Sequence, residues 1–305
     1  MNFPALRVLV TGATGQLGQA LQASVPRFAQ VLALGREGLD ITNPQRVAEV
    51  ISEFKPHLIL NAAAYNAVDL AQKEPQQAYA VNADGVKYIA RQAAMINCPV
   101  IHISTDYVFD GVLQKAQNPQ RPYTEADIPH PVNVYGLSKL AGEEALQQHN
   151  SQCMVIRTSS VFGGVKSNFV QRILQLAQEK NELQVVDDQI SCPTPVSALA
   201  QALWMLVERY ALNHELPWGI WHFVGAPACS RYEWACQIIH LAQGMGIVND
   251  IVRVCAVKAM MHGAFSAQRP SYSVLDCRKW ALEFGEVVPI PDWRKELEVY
   301  LTRLT

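Results

Sequence analysis

The chain has 305 residues, half of them hydrophobic and 17% charged, with a formal net charge of −2. That length can bury a large core in one or two domains, and that composition is ordinary for a globular protein. The basic residues are scattered, which excludes a nucleic-acid footprint, and no apolar run reaches the roughly 18–20 residues needed to span a bilayer.

In chain order, LRVLVTG reads as a compact strand and GQLGQALQASV continues with helical periodicity. QVLALG is a second strand, and PQRVAEVISEFKP is a helix with Pro44 near its start and Pro56 beyond its end. HLILNAAA is a third strand, EPQQAYAVNADGVKYIARQAAMI one long helix, and PVIHIST a fourth strand. A helix carrying Tyr135 and Lys139 follows, then CMVIRTSSVFG as a fifth strand. Apolar runs without alternation mean strands covered on both faces, and with helices between them they predict a parallel, doubly wound α/β sheet of the Rossmann type. Beyond about residue 165 the alternation loosens. NFVQRILQLAQE, SALAQALWMLVERYAL and RYEWACQIIHLAQ read as helices, WGIWHFVG as a strand. The expected division is a sheet domain over 1–165 plus about 184–223, with a smaller α/β substrate domain from about 166–183 and 224–305. The loop at about 110–132, with four prolines, is expected to be a mobile flap.

Seven cysteines, an odd number without a C-x-x-C, argue against disulfides or a zinc site and for reduced, mostly buried thiols. The eight histidines form no H-E-x-x-H, so no metal is assigned. MNFPALRVLVTG enters a strand without a signal-peptide pattern, which makes the cytoplasm the expected location.

Chemistry concentrates at three places. VLVTGATGQLGQ sets Gly12, Gly15 and Gly18 three residues apart between the first strand and the first helix. There glycine lets backbone approach a pyrophosphate resting on the N–H groups of a helix N-terminus, though glycines used only for turning and packing would read the same. After the second strand the first charged residue is Arg36, which favours NADP over NAD unless it is simply a solvated arginine. NAAAY and STDYVFDG place polar groups at the carboxyl ends of two strands, where sheets of this type bind ligands. Ser104, Thr105 and Asp106 follow a buried strand and suit either a site or a turn. Tyr135 and Lys139, four apart, share one helical face. A carbonyl reduced by hydride needs a proton donor, and an ammonium one turn from a phenol is expected to lower its pKa toward neutrality. In that reading Thr105 hydrogen-bonds the substrate oxygen, and Lys139 also holds the nicotinamide ribose.

TGATGQLG, LDIT, NAAAYNAVD, STDYVFDG, VYGLSKLAGE, IRTSSVFG, NFV, DQISCPT and the AQRP segment run in one order along nearly the whole chain. In that order they resemble the dTDP-4-dehydrorhamnose reductases, extended short-chain dehydrogenase/reductases. The resemblance implies reduction of the C4 ketone of a dTDP-4-keto-6-deoxysugar by NADPH, with NADH as a further donor, in a monomer or homodimer that meets neither membrane nor nucleic acid. It implies Thr105, Tyr135 and Lys139 as catalytic, and Gly12, Gly15, Gln16, Leu17, Gly18, Arg36, Asp40, Ile41, Ala62, Ala63 and Ala64 around the cofactor. Val68, Asp106, Asn168 and Arg269 fall on its substrate side. Ser160 stands where the family usually has Trp, and Asn66, Leu70 and Gln72 stand where Thr, Lys and Glu are usual. Ala20 replaces a Glu that bridges dimers through magnesium in some members, so that metal is not carried over.

Two rivals accompany this reading. SRYEWACQI and AQRPSYSVLDC also resemble the regulatory beta subunit of methionine adenosyltransferase, a non-catalytic NADP-binding partner. A nucleotide-sugar dehydratase or epimerase keeps the fold, but dehydratases usually need Glu after the Thr-Asp pair, where this chain has Tyr107.

Overall fold

The computed structural model describes residues 5–112, 121–164, 168–259 and 266–304. Six strands form one parallel sheet: β1 (Leu6–Thr11), β2 (Ala29–Leu34), β3 (Leu58–Asn61), β4 (Val100–Thr105), β5 (Cys153–Thr158) and, far along the chain, β10 (Gly219–His222). Their order is β10-β5-β4-β3-β1-β2, so β1 sits between β2 and β3 and the winding reverses there. A crevice opens at the carboxyl ends of strands at such a reversal.

The helices form where spacing and end signals agree. In α2 (Pro44–Phe54) the Asn43 side chain accepts from Arg46 N–H, and Lys55 closes the helix in the left-handed conformation. Val47, Val50 and Ile51 then face the sheet. One core lies on that face, joining them to Leu9, Ile59, Val100 and Val155 and to Val86, Ile89 and Ala90 of α5 (Gly85–Met95). On the opposite face α1 (Gln16–Ala23) and α8 (Val196–Asn213) cover Val8, Val10, Leu58 and Ile101. Trp280 and Phe284 of α10 (Arg278–Phe284) return from late in the chain to that same core.

A further core joins α7 (Phe169–Glu179), α9 (Arg231–Gly244) and α11 (Trp293–Thr302). It rests on the parallel pair β7 (Glu182–Val186) and β12 (Arg253–Val257), with Trp234 and Trp293 at its centre.

Three local expectations need correction. The long helix over the Ala-rich stretch is α4 (Pro75–Tyr79) and α5 joined by a π-helical turn, Ala80–Asp84. The wider turn carries buried Asn82, whose Oδ1 accepts Tyr65 N–H at 2.8 Å and whose Nδ2 donates to Ser138 Oγ at 3.0 Å. Here a polar tie to the β3 loop outweighs regular helix geometry. The third strand ends at Asn61, which leaves Ala62–Ala64 in the loop that floors the crevice. The fifth strand stops at Thr158, and Ser160, at φ 45°, breaks it from β6 (Val161–Phe162).

Of the loop expected to be a flap, residues 113–120 lie outside the described residues. Its remainder is fastened. Tyr123 stacks on Phe109 at 4.1 Å and donates to Asp110 at 2.8 Å, and Arg121 pairs with Asp127. All seven cysteines are free thiols, four of them buried. Among the described residues no helix is long and apolar enough to cross a membrane.

Candidate active site

A cavity of about 490 Å³ lies over the carboxyl ends of β1, β3 and β4, a size that suits a small-molecule ligand. Its lining includes Gly12, Gly15, Gln16 and Leu17 of the glycine loop and Arg36, Asp40 and Ile41 beyond β2. Ala62, Ala63 and Ala64 line it after β3, and Tyr135 and Lys139 from α6 (Val134–His149) close it. The sequence reading missed Thr14, Leu39, Tyr65 and Thr158, which line the same space. Thr14 stands in the glycine loop, Leu39 in LDIT, Tyr65 in NAAAY and Thr158 in IRTSSVFG, so all four fall inside motifs quoted above.

At the phosphate end the backbone is arranged for an anion. Gly12 has φ 67°, and a Cβ there would sit 2.6 Å from the carbonyl oxygen of Ala62 and the nitrogen of Ala63. Glycine is therefore required both for the turn and for the contact with the β3 loop. Gly18 does not line the cavity; its missing Cβ lets α1 close onto Gly12 and Ala13. The cap position of α1, Gly15, offers no side-chain acceptor, and its first turn has no acid. By contrast, side chains cap α2, α6, α7, α9 and α11. The open N–H groups and positive dipole end of α1 thus face the cavity, and they fit the pyrophosphate of a dinucleotide. Beyond β2, Thr42 donates to Asp40 Oδ1 from both N–H and Oγ1, which lowers the Asp40 pKa. Exposed Arg36 stands 3.6 Å from the other carboxylate oxygen.

The reaction end is made of buried side chains. Thr105 ends β4, and its Oγ1 accepts Tyr107 N–H at 3.1 Å and donates to Asp106 Oδ1 at 3.2 Å. Asp106 Oδ2 accepts from Ser159 Oγ at 2.8 Å and from Ser273 Oγ, so the buried carboxylate is enclosed by three hydroxyls. Burial raises its pKa, and those hydrogen bonds oppose the rise. The Tyr107 and Tyr135 rings meet edge to face at 5.9 Å.

Lys139 lines the cavity beside Tyr135 and is anchored from β4. Its Nζ donates to the Ile103 carbonyl at 2.6 Å and lies 3.1 Å from His102 Nε2. Burial pushes the Tyr135 phenol well above its ordinary range, the Asp106 charge adds to this, and the Thr105 hydroxyl opposes it. The expected lowering toward neutrality is corrected accordingly: desolvation dominates at the Tyr135 phenol. Burial also lowers Lys139 itself to about 8, against the opposing charge of Glu143. Glu143 pairs with Arg157 at 2.7 Å and accepts from Ser104.

None of the four substrate-side residues lines this cavity. Half-buried Val68 opens α3 (Val68–Lys73). Asn168 caps α7 and donates to Tyr300. Arg269 holds Asp69 through two bonds of 2.7 and 2.6 Å, tying the late chain to α3. A different arginine was missed. Arg231, at the start of α9, lies over the Phe169 ring at 5.5 Å, and its partners are Gln189 Oε1 at 3.1 Å and Tyr107 Oη at 3.3 Å. Among the described residues its guanidinium meets neutral groups rather than a carboxylate, one tyrosine away from the Tyr135 ring.

The chain matches the sequence profile of the RmlD substrate binding domain over residues 6–305. It is 39% identical to a dTDP-4-dehydrorhamnose reductase of Aggregatibacter actinomycetemcomitans over 96% of this chain and 97% of that one. It is 36% identical to the one of Escherichia coli K12, over 98% of each. Among solved structures it is similar to a dTDP-4-dehydrorhamnose reductase from Bacillus anthracis in complex with NADP. That similarity has a TM-score of 0.86 at 33% identity, covering 98% of this chain and 99% of that one.

Proposed function

The chain belongs to the dTDP-4-dehydrorhamnose reductase family, and from that premise we propose that it reduces the C4 ketone of a dTDP-4-keto-6-deoxysugar, converting dTDP-4-dehydrorhamnose to dTDP-L-rhamnose. The observation that carries this reading is one cavity with an uncapped helix N-terminus at one end and Tyr135 and Lys139 at the other, Thr105 hydrogen-bonding Tyr135 from just outside the lining. NADPH, held by the glycine loop, Arg36 and the alanine floor, supplies the hydride when bound. Thr105 orients the ketone oxygen and Tyr135 gives it a proton as negative charge develops there. Lys139 holds the ribose side of the cofactor and, as an ammonium, favours the phenolate left behind. Asp106 fixes Thr105, and Arg231 receives the substrate diphosphate.

These relatives favour the reductase over a regulatory subunit like the methionine adenosyltransferase beta subunit. Against a dehydratase, the position after Thr105 and Asp106 is Tyr107, whose hydroxyl engages Arg231 and offers no carboxylate. We take the sheet domain as about 1–165 with 184–223 and the substrate domain as about 166–183 with 224–305, except that β7 packs in the second core and α10 returns to the sheet core, and we take the enzyme as a cytoplasmic monomer or homodimer. The test is NADPH oxidation against a panel of dTDP-4-keto sugars. Turnover with release of NADP is expected. Co-purification with a methionine adenosyltransferase and no turnover of any member would favour the regulatory subunit instead.

A further inference from the structure

Behind Lys139 runs a chain of buried polar groups that the reaction, as derived above, does not use. Thr11 Oγ1 lies 2.6 Å from Asn61 Oδ1, Asn61 Nδ2 lies 3.0 Å from His102 Nδ1, and His102 Nε2 lies 3.1 Å from Lys139 Nζ. Thr11, Asn61 and His102 are fully buried, and Lys139 is 1% exposed.

The direction of these bonds follows from one group that cannot turn around. Ala63 N–H is a backbone donor aimed at Asn61 Oδ1 at 3.3 Å. It fixes the amide with Oδ1 toward Ala63 and Thr11, and Nδ2 toward the imidazole. His102 Nδ1 then accepts, so it carries no proton, and a neutral imidazole must carry its proton on Nε2. That N–H points at the Lys139 nitrogen. An ammonium has only donors and would set two protons against each other, whereas a neutral amine offers a lone pair to Nε2–H and still donates to Ile103 O.

We propose that His102 is a positioning residue for Lys139, presenting Nε2–H to its Nζ, favouring the neutral amine and so setting the alkaline limit of the reduction. The inference rests on the reductase reading. A hydrogen bond made to the neutral form disfavours the charged one, in the same direction as the burial that lowers Lys139. Burial, the largest cause, also holds the His102 pKa well below its ordinary value, which keeps the imidazole neutral. The other ionisable groups around the pair are Tyr135 and Glu143 on α6, Asp106 after β4, and Arg157 on β5. Glu143 favours the ammonium, but its carboxylate is shared with Arg157 and Ser104.

If the ammonium is the form that supports Tyr135, kcat/KM falls as pH rises through the Lys139 pKa. His102→Phe removes the donor, raises that pKa, and is expected to move the alkaline limb upward by about one pH unit. His102→Gln is expected to restore the wild-type limb, because its Oε1 replaces Nδ1 and its Nε2 replaces the imidazole N–H. A limb that stays in place or moves downward in His102→Phe overturns the proposal; downward movement means His102 instead accepts from an ammonium. A readout free of turnover is the imidazole ¹⁵N spectrum of the wild-type protein. The Nε2–H tautomer is expected, and an Nδ1–H tautomer overturns the proposal even if His102→Phe does not fold. Should no dTDP-4-keto sugar be reduced, the reductase reading fails while this spectrum still decides the role of His102.

Discussion

At the phosphate end of the cavity the backbone forms the binding surface, through an uncapped helix and a glycine at positive φ, and side chains contribute little. At the reaction end the reverse holds: Thr105, Asp106, His102 and Lys139 are all buried, each oriented by hydrogen bonds from other elements. The difference teaches that the two ends fail in different ways. Backbone binding is lost when a Cβ intrudes, while the buried cluster is lost when a single polar atom is removed.

Substitutions at each end should therefore separate binding from chemistry. The largest effect is expected for Tyr135→Phe, which keeps the ring against Tyr107 but removes the proton donor. Turnover should fall by about 10²–10⁴-fold, with NADPH affinity nearly unchanged in a fluorescence titration. Gly12→Ala should do the opposite. Its Cβ must displace the Ala62–Ala63 backbone from a left-handed position, a strain of about 1–3 kcal/mol that should weaken NADPH binding by roughly 10–100-fold. Arg231→Ala sharpens the contrast within the reaction end. If it receives the diphosphate, KM for the dTDP-sugar should rise by about 10-fold or more, with kcat little changed and NADPH affinity intact. The smallest effect is expected for exposed Arg36→Ala, which should narrow the preference for NADPH over NADH only a few-fold, and less at high salt.

The same contrast explains what could be read from the chain alone. Gly12 was legible because a backbone demand leaves a residue type behind, and Tyr135 with Lys139 because both lie within one helical turn. The parallel sheet was legible because strands covered on both faces, such as β3 and β5, are continuous apolar runs with few interruptions. The partner of Lys139 was not legible: His102 lies 37 residues away and reads as one more residue of a buried strand. Asn82 was hidden for a similar reason, since the helical pattern around it gives no sign of a π-helical turn. The AQRP segment pointed to Arg269, and nothing in SRYEWACQI marked Arg231. In the structure their partners, Asp69 for Arg269 and neutral groups for Arg231, tell them apart.

The central claim is that Tyr135 completes the reduction of a nucleotide-linked ketone at the end of a cofactor cavity. Its most direct test is NADPH consumption by wild-type protein and Tyr135→Phe with dTDP-4-dehydrorhamnose, followed by identification of the sugar product. dTDP-L-rhamnose is expected from the wild type and a rate lower by orders of magnitude from the variant, both proteins binding NADPH alike. Equal rates in the two proteins, or no ketone-dependent oxidation by the wild type, would contradict it.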